Sequence, residues 1–450
     1  MHPKALLDAC ADLIAQVLSF EHPADATVAA YFREHRQLGQ RERQLLSDTV
    51  YTVLREQPRL AWCARSHPGW AEASASGKAA KPPQPFKPAR GGSLPAYLAR
   101  TYAVLAFKGD ASVLDAALSE PERAWLAQCQ TLPAEAAPGA PPECHHLLPA
   151  WLAERLQAQW GAADFAALAA ALNEAAPLDL RVNPLKAKRP AVLQQLAEAG
   201  LAAAPTPYAP QGIRLQGKPS LHKLPLYNEG AIEVQDEGSQ LLCLLLEPKR
   251  NELVVDFCAG AGGKTLALGA AMRNTGRLYA FDTSAHRLEA LQPRLQRSGL
   301  SNVHPMAIAH ERDERIKRLV SKADRVLVDA PCSGLGTLRR SPDLKWRQSA
   351  QAVAAVAELQ GRILASAARL VKPGGRLVYA TCSLLREENE VVAQAFADAH
   401  RGFRLLPAEE LLRRAGVEQA EALCDAGYLR LWPHLHGTDG FFAAVWQKCA

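Results

Sequence analysis

The chain has 450 residues, 48% of them hydrophobic, which exceeds one ordinary domain and suffices for a core in each of two or three. Its net charge of +6 suits a polyanionic partner without requiring one, and no run approaches the roughly 18–20 consecutive apolar residues of a spanning helix. The start, MHPKALLDACADLIAQ, is acidic and amphipathic rather than signal-like, and the ten cysteines show no C-x-x-C pair, so a cytoplasmic monomer with no membrane partner, zinc framework or disulfide scaffold is expected.

In chain order, Leu6, Leu7, Leu13, Ile14, Val17 and Leu18 share one helical face, and Leu45, Leu46, Val50, Val53 and Leu54 repeat the pattern. Residues 71–95 change to a proline-, glycine- and lysine-rich composition that reads as a basic insertion or linker. Helical signals resume at 96–130, and a second proline-rich break at 132–143 closes a helical domain over 1–131. An amphipathic stretch at 149–175 leads into PLDLRVNP, a short branched run closed by Asn183 and Pro184. A helix near 190–200 and short strands near 212 and 231 complete a linking helix and small α/β subdomain over 145–227. Cys144, His145 and His146 are adjacent and cannot all converge on one ion, so no metal is expected.

From 228 to 450, four apolar runs alternate with helix-length segments: ELVVDF, GRLYAF, DRVLVDA and GRLVYAT. Fully buried parallel strands explain such runs, and ligands in these sheets sit beyond the strands' carboxyl ends. Asp256, Asp282, Asp329 and Cys382 fall at those ends. DFCAGAGGKT at 256–265 is a glycine-rich strand-to-helix turn suited to a nucleotide-like cofactor. It is not a phosphate-binding P-loop, because Cys258 stands where glycine is needed, and Thr265 occupies the third glycine position of the dinucleotide fingerprint. Asp282 can accept ribose hydroxyls or simply cap the next helix. Cys332 and Cys382 lie in turn-forming contexts rather than apolar ones, which favours a functional pair. Arg339, Arg340, Lys345 and Trp346 follow closely and would suit phosphate contact and base stacking in RNA.

WLAERLQAQWG, PLDLRVNPLK, VQDEGSQL, DFCAGAGGKT, DAPCSG, PDLKW, TCS with EENE, and HGTDGFFAAVW resemble the RsmB/NOP (Sun/Fmu and nucleolar Nop2-type) family of RNA cytosine-C5 methyltransferases, most of all its bacterial 16S ribosomal-RNA members. The resemblance covers residues 145–450. It implies an α/β fold of the class I S-adenosylmethionine-dependent methyltransferase type, a Rossmann-like sheet preceded by the small subdomain and an all-α domain. It also implies that Cys258, Ala259, Gly260, Ala261, Gly262, Gly263 and Lys264, with Asp282 and Asp329, hold S-adenosylmethionine, Arg287 supporting Asp282. Ala261 replaces a proline usual in the turn, and Asp313, about five residues late, is the nearest match to a further cofactor-contacting aspartate. LGQRERQLLSDTVYTVLRE, residues 38–56, is similar to the NusB-like RNA-binding domain of the ribosomal-RNA members.

In this family the threonine-cysteine-serine cysteine, here Cys382, is understood to add to carbon 6 of cytosine, and the proline-cysteine one, here Cys332, to assist release; DNA cytosine methyltransferases use the latter position for attack. Asp329 is then either a protonated acid at the pyrimidine edge or a carboxylate fixed beside the cofactor. A transfer-RNA substrate and a non-catalytic ribosome assembly factor are the alternatives. In the insertion, Lys78, Lys81, Lys87 and Arg90 face one acid, Glu72. Deleting 71–95 should weaken non-specific RNA binding and flatten its salt dependence; an unchanged slope, or a large fall in melting temperature, would contradict this.

Overall fold

The computed structural model describes residues 1–64, 94–130 and 141–450, so nearly all of the expected insertion and most of the break at 132–143 lie outside the described residues. The chain forms two compact units, residues 1–174 with 338–350, and residues 175–337 with 351–450.

The second unit holds two sheets. The smaller is antiparallel, in the order β2 (Ala203–Pro205), β3 (Gly212–Leu215), β1 (Leu178–Val182), β4 (Ile232–Val234). Its register sets Leu180 opposite Ile213 and Val234. One face packs Leu180, Val182, Ile213 and Ile232 against Val192 and Leu196 of the helix Arg189–Glu198. The larger sheet is the expected Rossmann-like one. The four apolar runs become β5 (Leu253–Asp256), β6 (Arg277–Asp282), β8 (Ala323–Asp329) and β9 (Val371–Thr381). They pair in parallel with β7 (Val303–Ala307) in the order β9-β8-β5-β6-β7. Strands β10 (Phe403–Leu405), β11 (Cys424–Asp425), β12 (Tyr428–Leu431) and β13 (Phe441–Lys448) extend it, with β13 antiparallel to β9. Helices cover both faces, and Val254, Val255, Val326, Leu327, Leu377 and Val378 are wholly enclosed, which is why the runs lack polar alternation.

The first unit is helical, as expected. Its opening helix, Pro3–Val17, starts with proline where a missing N–H costs nothing and buries Leu6, Leu7, Cys10, Leu13, Ile14 and Val17 on one face. Each such apolar side chain contributes about 1.5–3 kcal/mol, enough for the stripe to fix the helix in place. The helix Ala150–Asn173 groups with this unit, and so does the segment 338–350.

The docking of that segment follows from Pro58, inside the helix Gln40–Ala64. Proline has no N–H for the carbonyl of Leu54 four residues earlier, and this carbonyl accepts the Trp346 indole N–H at 2.7 Å. One residue on, the Arg55 carbonyl accepts Lys345 Nζ at 2.8 Å, which also reaches the Leu147 carbonyl and Asn173 Oδ1, each at 2.7 Å. Burial, with the Arg55 cation, pushes the Lys345 ammonium well below the usual lysine range, while three oxygens matched to three N–H donors hold the charged form.

Lys345 and Trp346 are therefore internal anchors of the helical unit, 1% and 5% exposed, and not the phosphate and stacking contacts expected from their clustering. Arg339 is buried too, whereas Arg340 is partly exposed and keeps its candidacy. Lys345→Met should lower stability by about 2–4 kcal/mol, because buried acceptors lose their donors. Denaturant unfolding would show that loss with RNA affinity and its salt slope unchanged; a stable variant with a reduced salt slope would restore the phosphate contact.

Candidate active site

The chain winds outward from β5 through β6 to β7 and then returns to β8, so a crevice opens at the carboxyl ends of β5 and β8. A cavity of about 800 Å³ occupies it. The glycine-rich turn forms one wall. Gly260 has φ +55°, and a Cβ there would meet no atom within 4 Å, so its backbone fronts open space that a ligand can enter. Gly262 has φ +85° and caps the helix Gly263–Ala271; a Cβ on it would lie 2.0 Å from the Leu291 side chain.

Asp282, at the end of β6, braces this turn: Oδ2 accepts the Gly260 N–H and Oδ1 the Ser284 N–H, each at 2.8 Å. Each oxygen retains a lone pair for a ribose hydroxyl. Cys258, Ala259, Ala261, Gly263 and Lys264 also line the cavity, whereas Gly262, packed against Leu291, does not. Burial pushes the Cys258 thiol up, so it acts as an apolar wall. Arg287 faces the same space, but no hydrogen bond or ion pair joins it to Asp282 among the described residues. The open glycine backbone, the carboxylate and the apolar wall together fit a nucleoside-type cofactor.

The opposite wall comes from β8 and β9. Their parallel register sets Asp329 beside Ala380, so the turns that leave the two strands run side by side. Cys332 and Cys382 thereby meet with Sγ atoms 3.3 Å apart, as free thiols that both line the cavity. The contact with Cys382, and burial after it, push the Cys332 thiol well up. Nearby, Lys264 Nζ stands 2.7 Å from Asp329 Oδ2. Burial opposes the lysine charge, but the Asp329 carboxylate more than offsets it and holds the ammonium well above its ordinary value.

Asp313 has a different task from the one expected. It caps the helix Glu314–Lys317 through the Arg315 N–H, pairs with the Arg315 guanidinium, and accepts the Ala309 N–H at 2.8 Å. The residues that border the cavity after β7 are Ile308, Ala309, His310 and Glu311, so Asp313 shapes that loop without lining the site. Gln235 and Ser239, from the VQDEGSQL segment, are also in the wall, and no local pattern in that segment marks them as site residues. Leu359 and Ile363 come from the long helix Ala350–Ala368, whose apolar face carries no sequence mark of a site.

Beneath the turn, Asp256 is fully buried, with Oδ2 accepting the Thr265 hydroxyl at 2.7 Å and Oδ1 unpartnered. Burial, only partly countered by that hydroxyl, pushes its carboxyl from 3.8 up to about 7. The folded state thus holds a proton that the unfolded chain has released. This contribution is complete below about pH 4 and is lost as pH rises through about 7. Asp256→Asn keeps the shape and removes the titration. Urea midpoints from pH 5 to 8 should show the parent losing on the order of a few kcal/mol relative to the variant; parallel profiles would contradict the assignment.

The family described as 16S rRNA methyltransferase RsmB/F matches residues 243–447, and the ferredoxin-like domain of RsmF/B-like methyltransferases matches residues 148–222. The chain is 39% identical over 301 residues to the probable ribosomal RNA small subunit methyltransferase B of Synechocystis sp., spanning 67% of this chain and 66%, just under two thirds, of that protein. It is 36% identical over 306 residues to the ribosomal RNA small subunit methyltransferase B of Sodalis glossinidius, spanning 68% and 67%. A methyltransferase homolog protein from Pyrococcus horikoshii has a similar structure, with a TM-score of 0.58 and 31% identity over 68% of this chain and 97% of that one. The glycine-rich turn, paired cysteines and sheet order fall within the matched segment, and the chain belongs to the RsmB/F methyltransferase family.

Proposed function

We propose that this protein methylates carbon 5 of a cytosine in small-subunit (16S) ribosomal RNA, using S-adenosylmethionine, with Cys382 as the covalent nucleophile. The observation that carries the reading is the 3.3 Å pairing of Cys382 with Cys332 in the cavity that also holds the glycine-rich turn and the Lys264–Asp329 pair. The naming of the relatives as small-subunit ribosomal RNA methyltransferases supports the substrate class. S-adenosylmethionine, when bound, supplies an electrophilic methyl group on a sulfonium. The residues fitted to hold it are the turn from Cys258 to Lys264 and Asp282, with Arg287 alongside.

Carbon 5 of cytosine is a weak nucleophile until the ring's conjugation is broken. The Cys382 thiolate adds to carbon 6, and the electron pair of the 5,6 double bond moves towards carbon 5 and the N3 edge. Once carbon 5 carries its methyl group, a base removes the carbon 5 proton, the double bond re-forms and the Cys382 thiolate leaves. Cys332 lies beside Cys382 with its thiol pushed well up by that contact and by burial, which supports a role as the S–H partner of the attacking and departing sulfur rather than as a second attacker. Charge that builds on the pyrimidine edge meets the Lys264 ammonium, oriented by Asp329. Of the two readings of Asp329, its 2.7 Å contact with Lys264 Nζ supports the fixed carboxylate. The target base must leave any stacked helix to enter the cavity, which favours open or transiently unpaired RNA.

Cys382→Ala should abolish both methyl transfer and covalent complex on small-subunit RNA transcripts. Cys332→Ala should instead accumulate an enzyme–RNA adduct that migrates slowly on a denaturing gel, because attack proceeds and release stalls. An adduct from Cys382→Ala and none from Cys332→Ala would reverse the roles. Stabilisation of the protein by NAD and not by S-adenosylmethionine in a thermal-shift measurement would refute the methyl-transfer reading itself.

A further inference from the structure

We infer that Glu388 is a positioning residue that fastens the two cysteine-bearing turns to each other, an inference whose catalytic consequence rests on the methyl-transfer reading above. Glu388 ends the short turn Arg386–Glu388 beyond β9 and is fully buried. Its Oε1 accepts the Ser333 backbone N–H at 2.8 Å and Gln360 Nε2 at 3.0 Å. Its Oε2 accepts the Ser333 hydroxyl at 2.5 Å and the Ser383 hydroxyl. Ser333 follows Cys332 and Ser383 follows Cys382, so one carboxylate holds the residue after each cysteine.

The surroundings brace this clamp. Gln360 also donates to the Pro331 carbonyl at 2.9 Å, and the Tyr379 hydroxyl donates to Glu388's own carbonyl at 2.5 Å. Asn389 Nδ2 donates to the Ser383 carbonyl at 3.0 Å. Each serine hydroxyl has one proton, and both go to Oε2, so the 3.2 Å approach of the two hydroxyl oxygens is a by-product of sharing one acceptor. Four donors thus converge on two oxygens, and no cation pairs with Glu388 among the described residues. Only a carboxylate meets that demand: it has acceptor sites for all four and no proton of its own, and its charge strengthens every bond. Glutamine would present an NH₂ group in place of one oxygen, leaving either the hydroxyls or the N–H donors without an acceptor. The clamp relaxes, and the sulfur–sulfur approach relaxes with it.

The test reads the clamp both with and without RNA. Diamide, a two-electron thiol oxidant, takes two electrons and two protons from Cys332 and Cys382 and becomes the hydrazine as the sulfurs join, so the rate of this coupling, mapped by peptide mass spectrometry, reports their approach. Glu388→Gln should slow the coupling and lower kcat for methylation of small-subunit RNA transcripts together, each by on the order of 10–100-fold, with S-adenosylmethionine affinity by calorimetry unchanged. Ser333→Ala combined with Ser383→Ala, which keeps the carboxylate and removes both hydroxyl donors, should change both rates in the same direction, and adding Glu388→Gln to it should lower them little further. Wild-type coupling in Glu388→Gln, whether or not activity falls, overturns the inference, and so does a parallel loss of cofactor affinity. Should Glu388→Gln not fold, the double serine variant decides by the same criteria. Should the parent protein transfer no methyl group to RNA, the methyl-transfer reading fails separately, and the coupling rates alone still support or overturn the clamp.

Discussion

The parallel register of β8 and β9 is the constraint on which the site depends. Because Asp329 pairs with Ala380, two turns fifty residues apart in the chain leave the sheet at neighbouring points and in the same direction. Neither cysteine has a chemical partner in its own segment. Parallel strands cannot be joined by a tight hairpin, so the helix Ala350–Ala368 has to lie between them, and that helix contributes Leu359 and Ile363 to the cavity wall. The β5–β8 junction adds the second half of the site in the same way, since the winding reverses there and leaves the glycine-rich turn facing the thiols.

Charge is distributed across this geometry with one cation at the centre. Lys264 leaves the first turn of the helix that follows the glycines, pairs with Asp329 from the neighbouring strand end, and lies over the Phe441 ring at 5.8 Å. Asp256 stands behind it with its carboxyl raised, and the Cys258 and Cys332 thiols are pushed up as well. The cavity wall thus carries the carboxylates of Asp282, Asp329 and Glu311 against the Lys264 ammonium and the Arg287 guanidinium, so charges of both signs face the same space. Low-dielectric walls make the single ammonium a stronger partner for developing charge than it would be in water.

Much of this was legible in the sequence because buried parallel strands leave unbroken apolar runs. β5, β6, β8 and β9 were visible for that reason, and Asp282, Asp329 and Cys382, at or just beyond three of their carboxyl ends, line one cavity, with Asp256 buried beneath it. β7 was not, because its run VHPMA is mostly half-exposed and carries a histidine and a proline; the loop after it, from Ile308 to Glu311, was missed with it. Asp313 was chosen by proximity in the chain, but its oxygens serve a helix cap and an ion pair. The basic cluster misled for a related reason: composition shows charge and not burial, and only the Leu54 carbonyl left free by Pro58, with the Arg55 carbonyl next to it, explains why Lys345 and Trp346 point inward. The acidic EENE segment was seen as part of a resemblance, yet that Glu388 reaches back to both serines is a matter of tertiary closure that no local pattern encodes.

The central claim is that this fold directs a thiolate to one cytosine of small-subunit ribosomal RNA. Bisulfite sequencing of that RNA from cells with and without the gene tests it most directly, because 5-methylcytosine resists the deamination that converts unmodified cytosine. The account predicts a single protected cytosine that becomes convertible when the gene is deleted and is protected again when it is restored. Identical small-subunit patterns in the two strains, or a loss confined to transfer RNA, would contradict it.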